Sequence, residues 1–135
     1  MTDYPYVKGF RDLQVWRKAH ALVLAVYGAT AVFSRHETYG LTSQMRRSCV
    51  SIPANIAEGC GRDGDAGLAR FLRMAAGSAS ELEYHLLLAR DLHLLAPQDH
   101  RHLADEIAEI KRMLTTFVKR LKGATKQGQQ LTAES

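Results

Sequence analysis

The stretch Gln44–Arg62, QMRRSCVSIPANIAEGCGR, constrains the fold more than any other part of the chain. Its apolar residues recur at steps of three and four, which places them on one side of an α-helix. They are Met45, Cys49, Ile52, Ile56 and Cys60. Pro53 removes one backbone donor, at a cost of about 3 kcal/mol in an isolated helix. Because the apolar spacing continues across the proline, we expect one bent helix that packing holds together.

A line of polar residues runs along roughly the opposite side of this helix: Arg47, Ser51, Asn55, Glu58 and Arg62. One interpretation is an ordinary solvated face. The other is a row of hydrogen-bonding groups that reach another helix or another chain. The composition favours the second interpretation, because Asn has a low helix propensity and is a poor choice for a helix position that is merely exposed.

Length and composition indicate one soluble globular domain. The 135 residues suffice for a single core, and 46% hydrophobic with 24% charged residues is not the composition of a disordered chain. No apolar run approaches the ~18 residues that span a bilayer. The start, MTDYPYVKGF, has no apolar signal region. We therefore expect a cytoplasmic protein that does not enter a membrane.

The two cysteines cannot form a disulfide if the stretch is helical. Cys49 and Cys60 would lie about 16 Å apart by the helical rise, far beyond the ~7 Å limit for a bridge. We expect both to be small buried hydrophobic residues.

The first helix should open at Phe10–Leu13 and run to about Phe33. Its predicted apolar stripe consists of Leu13, Trp16, His20, Val23, Val26 or Tyr27, Thr30 and Phe33. Trp16 is expected to anchor the core or an interface. His20 falls on this stripe, where a hydrogen-bonded core histidine is a better interpretation than a ligand or a catalytic base.

The third helix should span about Asp65 to Leu95 and contains the small-residue segment Ala75–Ser80. Gly77 costs roughly 1 kcal/mol inside a helix, so we expect another helix to approach it closely; flexibility is the alternative. Glu81 and Glu83 point in different directions on a helix. We therefore interpret them as partners of arginines, not as a catalytic pair; the candidate arginines are Arg47, Arg62 and Arg73.

A fourth helix should begin at Pro97. Its residues Leu103, Ile107, Ile110, Leu114, Phe117 and Leu121 alternate at four and three, as in the seam of a bundle. The glycines of Gly59–Gly64 match GxGxxG, but they follow a helix and no strand pattern precedes them, so a dinucleotide site is rejected.

Four amphipathic helices with short connections predict an all-α, up-down-up-down four-helix bundle. We assign residues 1–10 to an N-terminal arm, 11–122 to the bundle and 123–135 to a disordered tail.

Several motifs along the chain resemble one known family. They are Phe10-x-x-Leu13-x-x-Trp16, Glu37-x-Tyr39-Gly40-Leu41, Gln44-x-Arg46-Arg47, the run SIPANIAEG at 51–59, Arg62, and Gly77-Ser78-x-x-Glu81-Leu82-Glu83. These elements, between residue 10 and about residue 95, resemble the bacterial four-helix-bundle proteins encoded within intervening sequences of 23S ribosomal RNA genes. The fourth helix matches only in its pattern.

That family looks related to the accessory variability determinant of diversity-generating retroelements, a pentameric barrel of four-helix bundles that binds nucleic acid and a reverse transcriptase. The resemblance implies a ring-shaped homopentamer. It also makes the polar row and the small-residue segment candidates for structural or interface roles. With Trp16, these candidates are Ser51, Pro53, Asn55, Glu58, Gly77, Ser78 and Glu81.

The leading hypothesis for function is a non-enzymatic oligomeric bundle that binds RNA or DNA, as part of a ribonucleoprotein or as an accessory of a reverse transcriptase. The net charge of +4 is modest, but most of the cations are arginine, which suits phosphate recognition. The candidate phosphate contacts are Arg46, Arg47, Arg62, Arg70, Arg73, Lys111, Lys119, Arg120 and Lys122. The alternative is a protein-interaction scaffold with no nucleic-acid role.

An enzyme or a metal protein is not expected. His100 and His102 lie near Asp99 and Asp105, but no HExxH or CxxC spacing occurs. No serine or cysteine has the context of a nucleophile. We expect no catalytic residue, no metal ligand and no cofactor.

Overall fold

The computed structural model describes residues 9–38 and 40–134, from residue 125 onward by the backbone alone. Four helices follow one another: α1 is Gln14–Thr30, α2 is Leu41–Cys60, α3 is Gly64–Asp91 and α4 is Pro97–Glu134. Short 3₁₀ turns occupy Phe10–Asp12 and Arg35–Glu37. No strand occurs in these ranges, so the predicted all-α class is confirmed.

Each helix packs against two neighbours in an antiparallel arrangement. α2 contacts α1 and α3, and α4 contacts α3 and α1, whereas α1 and α3 lie diagonally opposite. An ion pair of 2.9 Å between Lys18 Nζ and Glu109 Oε1 joins α1 to α4, and the hydrogen bond to Glu109 raises the pKa of Lys18. This is the predicted four-helix bundle.

The core is built from one side of every helix. Most of the fully buried side chains come from α2, α3 and α4, at the positions that periodicity predicts, and α1 adds Ala19 and Val26. The largest of them are Met45, Ile52, Ile56, Leu68, Leu72, Leu82, Leu86, Ile107, Ile110, Leu114 and Leu121.

In α1, Val26 and Thr30 are buried as predicted, but the first half of the buried stripe is rotated from its predicted position. Val15, Ala19 and Leu22 are buried, whereas Trp16 is half-buried. The prediction that His20 is a core histidine is wrong, because this side chain is exposed and stacks on the Trp16 ring with centroids 5.1 Å apart. The reason is that apolar residues occur nearly all around α1, so their spacing does not select one side.

The middle of the polar row of α2 reaches α3, whereas Arg47 is exposed and Glu58 pairs with Arg62 at the surface, so each interpretation holds for part of the row. The hydroxyls of Ser51 and Ser78 lie 2.8 Å apart. Asn55 donates back to the Ser51 carbonyl and hydroxyl, at 2.8 and 3.0 Å. Pro53 stands between Ser51 and Asn55 in the sequence and is buried. α2 is one continuous helix across it, as predicted.

The close helix approach that was predicted at Gly77 occurs at Gly59 instead. A Cβ on Gly77 would meet nothing within 4 Å, and this residue is exposed. A Cβ on Gly59 would lie 2.9 Å from Cβ of Phe71 and 3.3 Å from the Leu68 carbonyl oxygen. Gly59 therefore lets α2 and α3 converge where they connect.

Several helix ends differ from the prediction. α1 begins at Gln14 and ends at Thr30, not at Phe10–Leu13 and near Phe33. α3 ends at Asp91 and not near Leu95, because His93 adopts a left-handed conformation with φ of 62°. The amides of Leu94 and Leu95 then bond to the Ala89 carbonyl and close the helix end. The backbone of α4 continues helically past Lys122 to Glu134.

The side chains of the two predicted terminal segments fall largely outside what the structure describes. Residues 1–8 of the predicted arm lie outside the described residues. The disordered tail over 123–135 stays a prediction.

Candidate nucleic-acid interface

Three of the predicted cations lie together in a groove between α3 and α4. Arg73, Lys119 and Lys122 line this α3/α4 groove of about 270 Å³, together with the buried side chains of Leu72 and Leu114. All three cations are exposed. Among the side chains that the structure describes, no carboxylate lies within ion-pair distance of them. Their charge is therefore available to an anionic partner.

Arg62 and Arg70 both lie close to one aromatic ring, near the connection between α2 and α3. Their guanidinium carbons are 4.8 and 5.9 Å from the centre of the Phe71 ring. Arg62 also pairs with Glu58, from Nη2 to Oε1 at 2.7 Å, and both side chains are about half exposed. An exposed pair of this kind contributes little to stability, so Arg62 can exchange its partner for a phosphate.

Arg120 lies on the other side of α4, in a groove toward α1. Arg112, about two helical turns earlier in α4, lines the same groove. Sequence analysis did not select Arg112, although its spacing of eight residues from Arg120 places both on one side of a helix.

Six of the nine predicted cations are therefore at one end of the bundle. This is the end where α2 stops, α3 starts and the second half of α4 passes, as the antiparallel packing requires. We call it the basic end, and it consists of Arg62, Arg70, Arg73, Lys119, Arg120 and Lys122. Only Arg62 among these six cations pairs with a carboxylate in the described part of the chain. Such a cluster raises the local potential and attracts polyanions.

Arg46 and Arg47 lie toward the opposite end, in a groove between α1 and α2. Nε of Arg46 donates to the hydroxyl of Thr30 at 3.0 Å, and its guanidinium stacks on the ring of Tyr27 at 4.4 Å. Arg47 is exposed beside it. The structure thus separates this pair from the basic end.

Lys111 and the two glutamates of α3 form other pairs than those predicted. Lys111 Nζ lies 3.4 Å from Glu83 Oε1, so part of its charge is balanced. Glu81 Oε1 lies 3.9 Å from Nε2 of His85. The arginine partners predicted for Glu81 and Glu83 are wrong, because these carboxylates face α4 and their own helix.

A buried polar pair inside the core escaped the sequence analysis. Nδ1 of His85 lies 3.1 Å from Oγ of Ser48, which also donates to the Met45 carbonyl at 3.1 Å. A hydroxyl has one proton, so Ser48 then accepts from Nδ1–H of His85. Burial lowers the pKa of His85, while nearby Glu81 raises it by a smaller amount. The imidazole is therefore a neutral structural group.

The cysteines are thiols at neutral pH. Burial raises the pKa of Cys49 to about 11 and raises that of Cys60 as well. Cys49 is fully buried, as predicted, whereas Cys60 is only half-buried. Both are poor nucleophiles, because the thiolate is the reactive form.

The described residues form neither a metal-ligand cluster nor a membrane-spanning helix. In residues 9–38 and 40–124, no group of three or more His, Cys, Asp and Glu side chains is placed to hold a metal ion. Nor does any helix in the described part of the chain have the length and apolar character needed to cross a membrane.

Comparisons with known proteins place this bundle in a family. A solved structure of a protein with unknown function from the S23 ribosomal protein family of Bacteroides thetaiotaomicron has the same fold, with a TM-score of 0.71 and 23% identity. The match covers 78% of this chain and 98% of the other. A search of curated proteins finds no match. Residues 11–116 match the profile of the 23S rRNA-intervening sequence proteins. The chain belongs to the family of 23S rRNA-intervening sequence proteins.

Proposed function

We propose that this protein is a non-enzymatic, oligomeric bundle that binds nucleic acid through its basic surfaces. The observation that carries the proposal is the α3/α4 groove, where Arg73, Lys119 and Lys122 present three cations with no carboxylate partner among the described side chains. Such an arrangement contacts the phosphate backbone and carries little sequence information.

The surroundings of this groove support single-stranded or structured nucleic acid as the ligand. Phe71 lies near Arg62 and Arg70 at the same end, and a partly exposed ring beside two guanidinium groups offers a small stacking surface. The nine predicted cations remain our candidates for phosphate contacts, with Lys111 the weakest of them because Glu83 shares its charge.

We also propose that the chain assembles into a ring-shaped homopentamer and acts in the cytoplasm as part of a ribonucleoprotein or as an accessory of a reverse transcriptase. The resemblance to the accessory variability determinant supports this proposal. An exposed stripe on α3 supports self-association as well, since it carries Met74, Gly77 and Tyr84 at helical spacing, with Met74 46% and Tyr84 60% exposed.

Fluorescence anisotropy with labelled single-stranded RNA and DNA tests nucleic-acid binding. We expect wild-type affinity to fall steeply as salt rises. The double variant Lys119→Gln/Lys122→Gln should bind roughly tenfold more weakly, and its log–log salt slope should be smaller by about 1.4 in magnitude.

The matched control is Arg35→Gln/Arg101→Gln, which removes the same charge from exposed positions outside the α3/α4 groove. Equal affinities for the two variants would contradict the assigned groove. A wild-type protein that binds neither RNA nor DNA at low salt would overturn nucleic-acid binding. The protein-interaction scaffold would then be the better hypothesis.

A further inference from the structure

We infer that the groove between α1 and α2 is a distinct site for a single phosphate group, held by Arg46 and Arg47. This α1/α2 groove encloses about 690 Å³, which accommodates a phosphate with an attached sugar. It is lined by Tyr27, Thr38, Thr42, Ser43, Arg46, Arg47, Val50 and Ser51. The inference rests on the proposed function only in so far as the phosphate belongs to a polynucleotide.

Arg46 is fixed in place before any ligand arrives. Its Nε donates to the Thr30 hydroxyl at 3.0 Å, and Thr30 in turn donates to the Val26 carbonyl at 2.8 Å. The Tyr27 ring supports the guanidinium plane at 4.4 Å, and Nη2 reaches the Tyr27 carbonyl at 3.5 Å. An arginine held in this way loses little conformational entropy on binding an anion.

The charge of this arginine pair is not balanced within the described part of the chain. No carboxylate there lies within ion-pair distance of Arg46 or Arg47, although Arg46 is partly buried. Glu37 lies beside Gly40, ahead of the helix. One carboxylate opposes two guanidinium groups, so the groove keeps a net positive charge. A partly buried cation with no counter-charge is a position where an anion is stabilised.

A second observation at the same place also indicates a ligand. Thr42 lines the groove and is only 7% exposed, yet its hydroxyl has no hydrogen-bond partner. A buried hydroxyl without a partner is costly. Thr42 and Ser43 belong to the first turn of α2, where free backbone N–H groups favour negative charge. The groove therefore offers donors from arginines, hydroxyls and a helix start, which is the donor set for phosphate oxygens.

The groove differs from the basic end in the ligand that it fits. The basic end spreads exposed cations over several helices, which suits an extended backbone. The α1/α2 groove brings Arg47 and the hydroxyl-bearing Thr42 and Ser43 into one concave surface beside the fixed guanidinium of Arg46, which suits one tetrahedral group. Both a free phosphate compound and a phosphate of RNA have this chemistry.

Titration calorimetry of the full chain with inorganic phosphate and with adenosine monophosphate tests this site. We expect saturable binding of both, weakened roughly tenfold or more by Arg47→Gln, because a charge-assisted contact is lost. Arg46→Lys keeps the charge but loses the planar fork and should weaken binding to a similar extent. Arg101→Gln, an exposed arginine at the start of α4, is the matched control and should bind as the wild type does.

Thr42→Val separates a ligand contact from a packing role. If the hydroxyl meets the phosphate, this variant weakens phosphate binding severalfold; unchanged binding would remove Thr42 from the site. A wild-type protein that binds neither phosphate compound, or arginine variants that bind them as well as the wild type does, would overturn the inference.

Competition with RNA identifies the source of the phosphate. Displacement of phosphate by RNA assigns the site to the polynucleotide, whereas simultaneous binding of both assigns it to a free phosphate compound. Phosphate binding by a protein that binds no RNA would overturn the proposed function and retain this site. RNA binding that Lys119→Gln/Lys122→Gln weakens, with no binding of phosphate, would overturn this inference alone.

Discussion

His85 is held inside the core of the bundle by its hydrogen bond with Ser48. The side chain is 5% exposed, and burial lowers its pKa from the ordinary value of 6.5. The neutral imidazole is therefore the form that the folded protein accepts. Protonation must leave a charge in the core or open the packing between α2 and α3.

We predict that the free energy of unfolding decreases as pH falls below about 6.5. In that range the unfolded chain binds a proton at His85 that the folded chain resists, so the native state loses stability until the lowered folded pKa is reached. Urea denaturation at pH 7.5 and pH 5.5 measures the change. His85→Leu should remove this part of the pH dependence, whereas His102→Gln, an exposed control, should not.

We predict that Ser48→Ala destabilises the bundle by about 1–3 kcal/mol, because Nδ1–H of His85 is left buried without an acceptor. The double variant Ser48→Ala/His85→Leu should recover part of the loss, since it removes both polar partners. Urea denaturation at pH 7.5 gives both values. Equal stability of Ser48→Ala and the wild type would contradict the hydrogen bond.

At this scale, sequence patterns locate buried positions better than they locate polar partners. Ser48 and His85 lie 37 residues apart, and nothing in the spacing of either helix connects them. The first half of the α1 stripe was misplaced for a related reason, since Trp16 and His20 fit a helical period but Val15 and Ala19 fit it equally well. Only the neighbouring helices decide between two such stripes.

Among the helices, α2 and α3 depend on one glycine for their contact. At Gly59, a Cβ would lie closer to Cβ of Phe71 than side chains tolerate. The two helices meet there at the start of their longest contact in the bundle, so a small displacement is transmitted along both.

We predict that Gly59→Ala destabilises the protein by about 1–3 kcal/mol through overpacking. Gly28→Ala is the matched control, because Gly28 is also inside a helix but its Cβ would meet nothing within 4 Å. The control should be more stable than the wild type by up to about 1 kcal/mol, as helix propensity requires. Urea denaturation at one protein concentration compares the three proteins; a neutral Gly59→Ala would refute the close approach.

The existence and order of the helices were predictable, and their ends were less so. Pro97 begins α4 as expected, because proline is favoured in the first turn of a helix. The end of α3 was not predictable, because His93 takes a left-handed conformation that is usually occupied by glycine or asparagine. His93 adopts this conformation because the chain must turn there from α3 into α4.

At the scale of the whole molecule, one side of α3 remains exposed at the surface of the single bundle. Gly77 carries no close neighbour, and Met74 and Tyr84 flank it at helical spacing. The sequence predicted a role for Gly77 in packing. The structure removes that role within the chain and leaves the contact with a second copy as our proposal.

We predict a solution mass near five times the 15.0 kDa of one chain, as the proposed homopentamer requires. Met74→Lys/Tyr84→Lys should give a smaller species with unchanged helical content, because charge on the stripe opposes association. Light scattering after size exclusion, with circular dichroism, measures both. Val32→Lys is the control on another exposed apolar residue, 85% exposed, and should keep the wild-type mass. A monomeric wild type would contradict the proposal.

The candidate site could be predicted from the sequence as a set of residues but not as an arrangement. Most predicted cations share one end of the bundle, which the antiparallel order of the helices implies once their ends are known. That Lys111 pairs with Glu83, and that Arg46 rests on Tyr27, depends on contacts between helices. The sequence contains no local pattern for either.

The separation of the two arginine regions along α2 sets a minimum reach for any strand that uses both. From Arg46 to Cys60, where α2 ends beside Arg62, the helix rises about 21 Å, which a strand stacked as in a duplex covers with about six nucleotides. Shorter oligonucleotides can occupy only one region at a time. Longer ones gain the second contact intramolecularly, so their affinity exceeds what additional charge alone provides. A bundle that binds nucleic acid as proposed would therefore distinguish long polymers from short fragments by length, without reading a single base.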